Sequence, residues 1–599
     1  MSDDRRQAAL AYRIEAANTA FNRDHPKHKA NGDEERYAEA NYAMSFTKGL
    51  PHSSTTGLIV DRRDFEAFRK AIDEGFIDAF STSVPVAIAC TGLDRRRWEA
   101  PTAGLVFELE GPDPQAVTMA PAPALGSDEL AYEMAEVYEL ALLRDQPFSA
   151  FRVGAGNAVM AAAINDLNSM PYDPSAPAPK ADGSQRPRTT EGGALTEQTA
   201  FRGSSPGVAV GPYLSQFMFI GNASVDAAVS DGRINFGPQQ IDQRVPVAAA
   251  QDYVTSIADW LEVQRGCETR NNNELFVNPA NSNPAFQGPA ARRFMCCPRD
   301  LATYVHDDAL YQAYLNACLI LLGMGSPFDP GFSNLAGQKD DGVDLGALFR
   351  VEPGGSHVEI ARQAGGFALF GGPHILTLVT EVATRALKAV RFQKFNVHIR
   401  LRPETLAGRI ELAGAIETAH PCIGSHFSDL GTACAPTLAK VQAATGNNLL
   451  PMAFQEGSPM HPAYGAGHAT VAGACVTILK AFFDTSAVFV RRGSREAFLR
   501  PVADDTLLAY APDDAGATLV AETGTALTLE GELNKLAANI SIGRNMAGVH
   551  YYSDYYDSLR MGEEIAIGML EEQALGYKTD PFVMSVPTFD GDVVRIGAR

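Results

Sequence analysis

Lys394, Arg402, His461, His468, Arg544 and His550 are the side chains of this chain whose types suit one task. Together they could hold a tetrahedral oxyanion and move protons beside it. Arginines bind such an anion bidentately. One imidazole can bond its central atom while another shuttles protons. The stretch Pro459–Thr470 carries two of the histidines. Gly465 and Gly467 let the backbone turn tightly and leave its N–H groups unscreened. Small and apolar residues then open a helix, and a helix N-terminus attracts anions. By itself such a turn is also ordinary punctuation. Arg402 precedes Pro403, which pushes it into an extended conformation. It therefore need not share a helix face with Lys394, which by itself could merely serve a helix dipole. Arg544 and His550 stand six apart and would point away from each other on one straight helix. Gly548 offers a stop, so that His550 can fold back. Asp554, four beyond, is placed to hydrogen-bond one imidazole nitrogen and leave the other free.

These segments carry a resemblance. Lys394, seven residues and Arg402-Pro403, then Gly465-Ala466-Gly467-His468, then Arg544, five residues, His550, three residues and Asp554 resemble the three signature segments of vanadium-dependent haloperoxidases. Related acid phosphatases and lipid phosphatases share that signature with small spacing changes. Ser45–His52, Arg299–Gly323, Phe370–His374, Glu530–His550 and the total length are similar to the red-algal and cyanobacterial bromoperoxidase type.

The resemblance implies vanadate (V5+) as cofactor, with no heme and no flavin. His550 would be the ligand to vanadium, with Asp554 behind it. Lys394, Arg402, Arg544 and the Gly467 N–H would hold the oxygens, and His468 would be the acid–base histidine. Lys394 would polarise bound hydrogen peroxide, and bromide would leave as a hypohalous acid equivalent that halogenates small organic substrates. The metal would act as a Lewis acid. His461 matches a position that bromoperoxidases fill with histidine, which favours bromide over chloride. Gln393 stands where red-algal enzymes tend to have arginine. The family has serine where this chain has Ala466, and one lost hydrogen bond to a charged group is worth roughly 1.5–3 kcal/mol. Two other functions use the same residues: a phosphatase with His550 as nucleophile, and a non-catalytic oxyanion-binding assembly.

The elements that must position these residues are mostly helical. Asp61–Glu74, a helix capped at Ser127, Phe151–Leu167, Val245–Arg265, a long buried Arg299–Leu322, Pro373–Phe395, Leu406–Thr418 and Ala466–Phe483 read as helices. Leu529–Ala547 and Asp554–Leu575 read as a pair split at Gly548. Leu105–Gly111 alternates like a strand, and Met584–Ile596 reads as a hairpin turning at Asp590-Gly591. The expected fold is all-α: two four-helix-bundle units with small β-hairpins. Residues 1–230 form an N-terminal, assembly-related region with a long linker or arm at 169–212. Residues 231–599 form the helical-bundle region with the site. Asn271–Pro289 reads as a loop.

Net charge is −21, so no nucleic acid and no acidic membrane surface is expected as partner. There is no signal peptide or transmembrane run, so the expected location is cytoplasmic, with export by another route left open. Eight cysteines in so long a chain make no disulfide framework, and Cys296-Cys297 are adjacent. Reduced thiols are the default, with one or two disulfides left open. The resemblance also implies a homo-oligomer, from dimer to dodecamer, with the 169–212 arm a candidate contact.

Overall fold

A computed structural model describes residues 3–86, 90, 95–175, 185–222, 228–267, 291–336, 348–351, 357–360, 365–578 and 580–597. Its centre is the Gly467–Phe482 helix, buried at every residue from Ala469 onward. Three longer helices, Gly372–Phe392, Leu529–Met546 and Tyr552–Ala574, pack around it. Small residues permit this. A Cβ added to Gly473 would stand 2.0 Å from the Leu559 carbonyl oxygen, and one on Gly562 would stand 2.0 Å from that of Thr470. The two backbones touch, and a methyl group at either position would force them apart. Among the described residues no helix is long and apolar enough to cross a membrane.

Helix starts follow their caps. Ser127 accepts from the Leu130 N–H at 3.2 Å and opens Asp128–Leu142. Thr528 accepts from the Gly531 N–H at 3.1 Å and opens Leu529–Met546. The Ser127-capped helix buries its polar side as well as its apolar one. Glu129, Glu133, Glu136 and Glu139 are buried and ion-paired with Arg186, Arg400, Arg188 and Lys440 in turn. Arg186 and Arg188 belong to the 169–212 segment, whose described part is thus pinned inward on its own chain.

Five elements differ from the sequence reading. Leu406–Thr418 is two helices, Pro403–Glu411 and Ala413–Ala419, that meet at Leu412. Leu105–Gly111 is no strand. After a short turn at Ala103–Leu105 the chain is irregular, with Phe107 and Leu109 exposed. The polar members of the alternation face inward instead, where Glu108 and Glu110 pair with Arg385 at 2.9 and 3.0 Å. Val245–Arg265 begins as a strand pair, Val245–Pro246 with Arg292–Arg293, and is helical only over Ile257–Gln264, where Ser256 caps it. Arg299–Leu322 is two helices, Pro298–Tyr304 and Gln312–Met324, because the polar stretch between them turns toward the pocket described below. Helix Ala158–Ser169 starts late, at the Asn157 cap. The Asn271–Pro289 loop lies outside the described residues.

The β structure is small. The tail hairpin forms between Val583–Pro587 and Val593–Gly597. An antiparallel four-stranded sheet orders Leu519–Thr523, Thr506–Pro512, Val488–Arg492 and Arg495–Leu499. One disulfide forms, Cys90–Cys267, while the other six cysteines are free thiols. It joins positions 177 apart in sequence, a pairing that no local pattern announces.

Candidate active site

Each cluster reaches the site by a different backbone device. Lys394 lies where the Gly372–Phe392 helix widens into a π-helical turn, Gln393–His398. Arg402 is extended (φ −84°, ψ 158°) and caps the Pro403–Glu411 helix, as the following proline requires. The Leu529–Met546 helix closes in a Schellman turn. The Gly548 N–H bonds the Asn545 carbonyl at 2.9 Å, and the Val549 N–H bonds that of Arg544 at 3.1 Å. Gly548 takes φ +85°, and a Cβ there would meet Met452 Sδ at 2.9 Å. His550 is thereby turned back toward Arg544. Asp554 serves three neighbours at once, accepting from the Tyr551 N–H at 3.1 Å, from His550 Nδ1 at 2.6 Å and from Arg400 Nη1 at 3.0 Å.

Arg402 sits at the centre. Its Nε donates to the His461 carbonyl at 2.9 Å and its Nη1 to the Val549 carbonyl at 2.7 Å. Nη1 also faces His550 Nε2 at 3.1 Å, and Nη2 faces His461 Nδ1 at 2.8 Å. A guanidinium only donates, so both ring nitrogens act as acceptors. His550 therefore carries its proton on Nδ1, toward Asp554, and points a bare Nε2 at the cations. Lys394 Nζ donates to the carbonyls of Pro462 at 2.6 Å and Ala463 at 3.1 Å. Arg544 Nη1 donates to the Val305 carbonyl, while its buried Nε has no hydrogen-bond partner. Ala466 caps the Gly467–Phe482 helix without a side-chain bond, and its own N–H is taken by Ser558 Oγ at 2.8 Å. Gly467 opens the helix, so its N–H has no intrahelical partner.

The electrostatics are those of a site built for an anion. Burial, then Arg402 and Arg391, hold the Lys394 ammonium well below its usual range. Burial and the surrounding cations do the same to His550 and His461. Burial is the main cause lowering Arg402, to about 10. His468 is lowered by burial, with Asp308 opposing.

The structure adds residues that sequence reasoning missed. Asp308 accepts from His468 Nε2 at 2.8 Å. Glu99 stands 3.5 Å from His461 Nε2. His306 stacks on Phe454 at 3.7 Å and meets Glu456 at 2.7 Å. Arg391 keeps a buried Nη1 with no hydrogen-bond partner. Arg391, Glu99, Asp308, His461, His468 and Arg544 line one cavity of about 290 Å³. Gln393 is turned away from it, donating to the Val117 carbonyl at 2.9 Å. The one available signal was the run of polar residues at 306–308 inside an otherwise apolar segment.

A buried cationic hole with a bare imidazole nitrogen, set between bundled helices, defines a helical oxyanion enzyme of the haloperoxidase and phosphatase kind. Residues 432–574 match the family model described as the VCPO second helical-bundle domain. A vanadium-dependent bromoperoxidase of Corallina pilulifera is 40% identical, over 99% of this chain and 98% of its own length. Its counterpart from Corallina officinalis is 39% identical over the same shares, and one from Ascophyllum nodosum is 31% identical over 93% and 87%. The homohexameric structure of the second vanadate-dependent bromoperoxidase of Ascophyllum nodosum superposes with a TM-score of 0.74 at 24% identity. It is covered over 90% of its length by 99% of this chain. The chain belongs to the vanadium-dependent bromoperoxidase family.

Proposed function

We infer that this chain is a vanadate-dependent haloperoxidase that oxidises bromide with hydrogen peroxide to a hypohalous acid equivalent. The observation that carries the reading is His550 Nε2, an acceptor nitrogen buried beside Lys394, Arg402 and Arg544. An unpartnered Arg544 Nε and mutually depressed basic groups fit an oxyanion with a metal centre that an imidazole can bond. When bound, vanadate supplies Lewis-acid activation of peroxide at constant oxidation state. His550 would hold the metal, with Asp554 fixing the tautomer through Nδ1. Lys394, Arg402, Arg544 and the Gly467 N–H would hold the oxygens. Lys394, already pressed toward its neutral form, would be charged by the anion and would then polarise the bound peroxide. His468, held at Nε2 by Asp308, would take a proton at Nδ1 and return it to the departing oxygen. His461 and Arg391 stand on the cavity side from which bromide would approach. The homohexamer of the Ascophyllum nodosum structure supports a homo-oligomer for this chain as well.

The test is halogenation of a dye by purified protein with peroxide and bromide, before and after stripping and reloading with orthovanadate. Activity should require vanadate, and phosphate should inhibit it by competing for the same cations. Stripped protein whose rate is unchanged by vanadate would sink the reading.

A further inference from the structure

Cys296 and Cys297 play no part in that chemistry, yet they form a built cluster. Both are buried, and their sulfurs and an Asp300 carboxylate oxygen lie within 4.8 Å of one another. Cys296 Sγ donates to Asp300 Oδ2 at 3.5 Å. Arg293 binds the same carboxylate through Nε at 2.9 Å and Nη2 at 2.8 Å, and Nη2 also donates to Cys297 Sγ at 3.5 Å. With its carboxylate already neutralised by a guanidinium, the cluster is a poor cation site. It is better suited to redox chemistry. A cavity of about 100 Å³, lined by Phe148, Tyr213 and Asp514 among others, reaches Cys296. That volume admits a reagent of a few atoms and excludes a bulky organic substrate.

We propose that Cys296 and Cys297 are an oxidation site, a vicinal thiol pair that hypohalous acid converts into a disulfide. The oxidant comes from the haloperoxidase reading, on which the proposal rests. Cys296, which faces the cavity, attacks the halogen of hypobromous acid. A sulfur–bromine bond forms, the bromine–oxygen bond breaks, and hydroxide leaves as water with the thiol proton. Cys297 then attacks the Cys296 sulfur. The sulfur–sulfur bond forms, bromide leaves, and the Cys297 proton is released. Two electrons pass from the sulfur pair to bromine, and the sum is two thiols and hypobromous acid giving disulfide, bromide, water and a proton. Asp300 is at hand to relay the first proton to the departing hydroxide, and Arg293 supports the charge on Cys297 as its proton leaves.

The position gives the step a consequence. Cys297 caps the Pro298–Tyr304 helix, which runs directly into Val305 and Asp308. Those two hold Arg544 and His468. A disulfide closes a small ring through the shared peptide at the start of that helix, so the oxidation state of the pair bears on the wall of the active site.

The experiment follows the pair through turnover. Protein loaded with vanadate is run with peroxide, bromide and a dye, quenched, alkylated and digested with trypsin. The peptide Phe294–Arg299 contains both thiols, and fragmentation separates oxygen on Met295 from changes at sulfur in the pair. The expected result is a peptide lacking two hydrogens and resistant to alkylation, with recovery of both thiols on reduction. A halogenated dye with both thiols still alkylated, or with oxygen added to them instead of a disulfide, overturns the proposal. A second arm adds reagent hypobromite to stripped protein. If the dye is not halogenated in the first arm, the haloperoxidase reading has failed and the second arm alone decides the pair: a disulfide supports it, and free thiols overturn it. Cys297→Ala should leave Cys296 with no resolving sulfur, so the same reagent should add oxygen to Cys296. Unmodified Cys296 in that variant counts against the proposal.

Discussion

His550 and His461 present opposite nitrogens to one guanidinium, Nε2 in the first and Nδ1 in the second. The remaining nitrogens meet Asp554 and Glu99, so each ring is oriented from both sides. This separates the roles of the histidines. His550→Ala should abolish vanadium retention, since the lost group is the proposed ligand. His468→Ala should keep much of the vanadium while turnover falls by about 10²–10⁴, the range for a general acid–base group. Asp308→Asn should resemble a milder His468 variant, and Asp554→Ala should weaken retention less than His550→Ala. Metal analysis per protomer beside bromination rates checks all four, and equal vanadium loss in the His550 and His468 variants contradicts the assignment. Arg402, His461 and His468 were legible in the sequence as chemically specific types beside a proline or glycine, and Arg544 and His550 as a pair astride Gly548, whereas Lys394 has no such neighbour and was legible only by its type and its place at a helix end. Asp308 was not. It is the second of two adjacent acids in a stretch whose apolar pattern reads as one helix, and its partner is 160 residues away.

The helices capped by Asp61, Ser127 and Thr528 start where the sequence places them, whereas those capped by Asn157 and Ser256 start later than their apolar pattern suggests. The failures come where tertiary demands beat the local pattern. The 305–311 stretch breaks a helix to give Arg544 a carbonyl and His468 a carboxylate. Glu108 and Glu110 invert an apolar alternation to reach Arg385. Ala466 is the reverse case, a cap position with no capping side chain. The Ala466→Ser variant should improve two things there. Its hydroxyl oxygen can accept an orphan N–H of the first turn, worth about 1 kcal/mol of stability. Its proton can go to the bound anion, tightening vanadate binding by about 1 kcal/mol or more. A water already bridging that gap would reduce the second gain, because a water-mediated bond is nearly as good. Thermal melting and vanadate titration of the stripped proteins measure the two effects separately. Weaker vanadate binding in the serine variant would mean that this loop does not hold the anion.

At the scale of the molecule, an acidic chain of net charge −21 encloses a pocket of cations. One contiguous core runs from Tyr37 to Ile596 and includes residues before and after position 230. That continuity was illegible in the sequence, because Arg186 and Arg188 lie in a Pro- and Ser-rich stretch that reads as a linker. Their carboxylate partners are buried glutamates on the Ser127-capped helix and the partly buried Asp557. The pocket itself should respond to an anion by taking up protons. Lys394, His461 and His550 are pushed down by burial and by the positive charge of their neighbours. An anion among them stabilises the charged forms and raises each pKa. Wherever the pH lies between the free and bound values, binding brings protons in, so affinity must fall as pH rises through that window. Vanadate titrates too and would blur the count, so the cleaner ligand is molybdate or sulfate, neither of which gains or loses a proton near neutrality. Calorimetric titration of the stripped protein in two buffers of unlike ionisation enthalpy reads the protons directly. Net uptake, with weaker binding at higher pH, is expected. Binding without proton exchange would mean that Lys394 is already charged in the free protein, and its role would then be to attract the anion before any peroxide arrives.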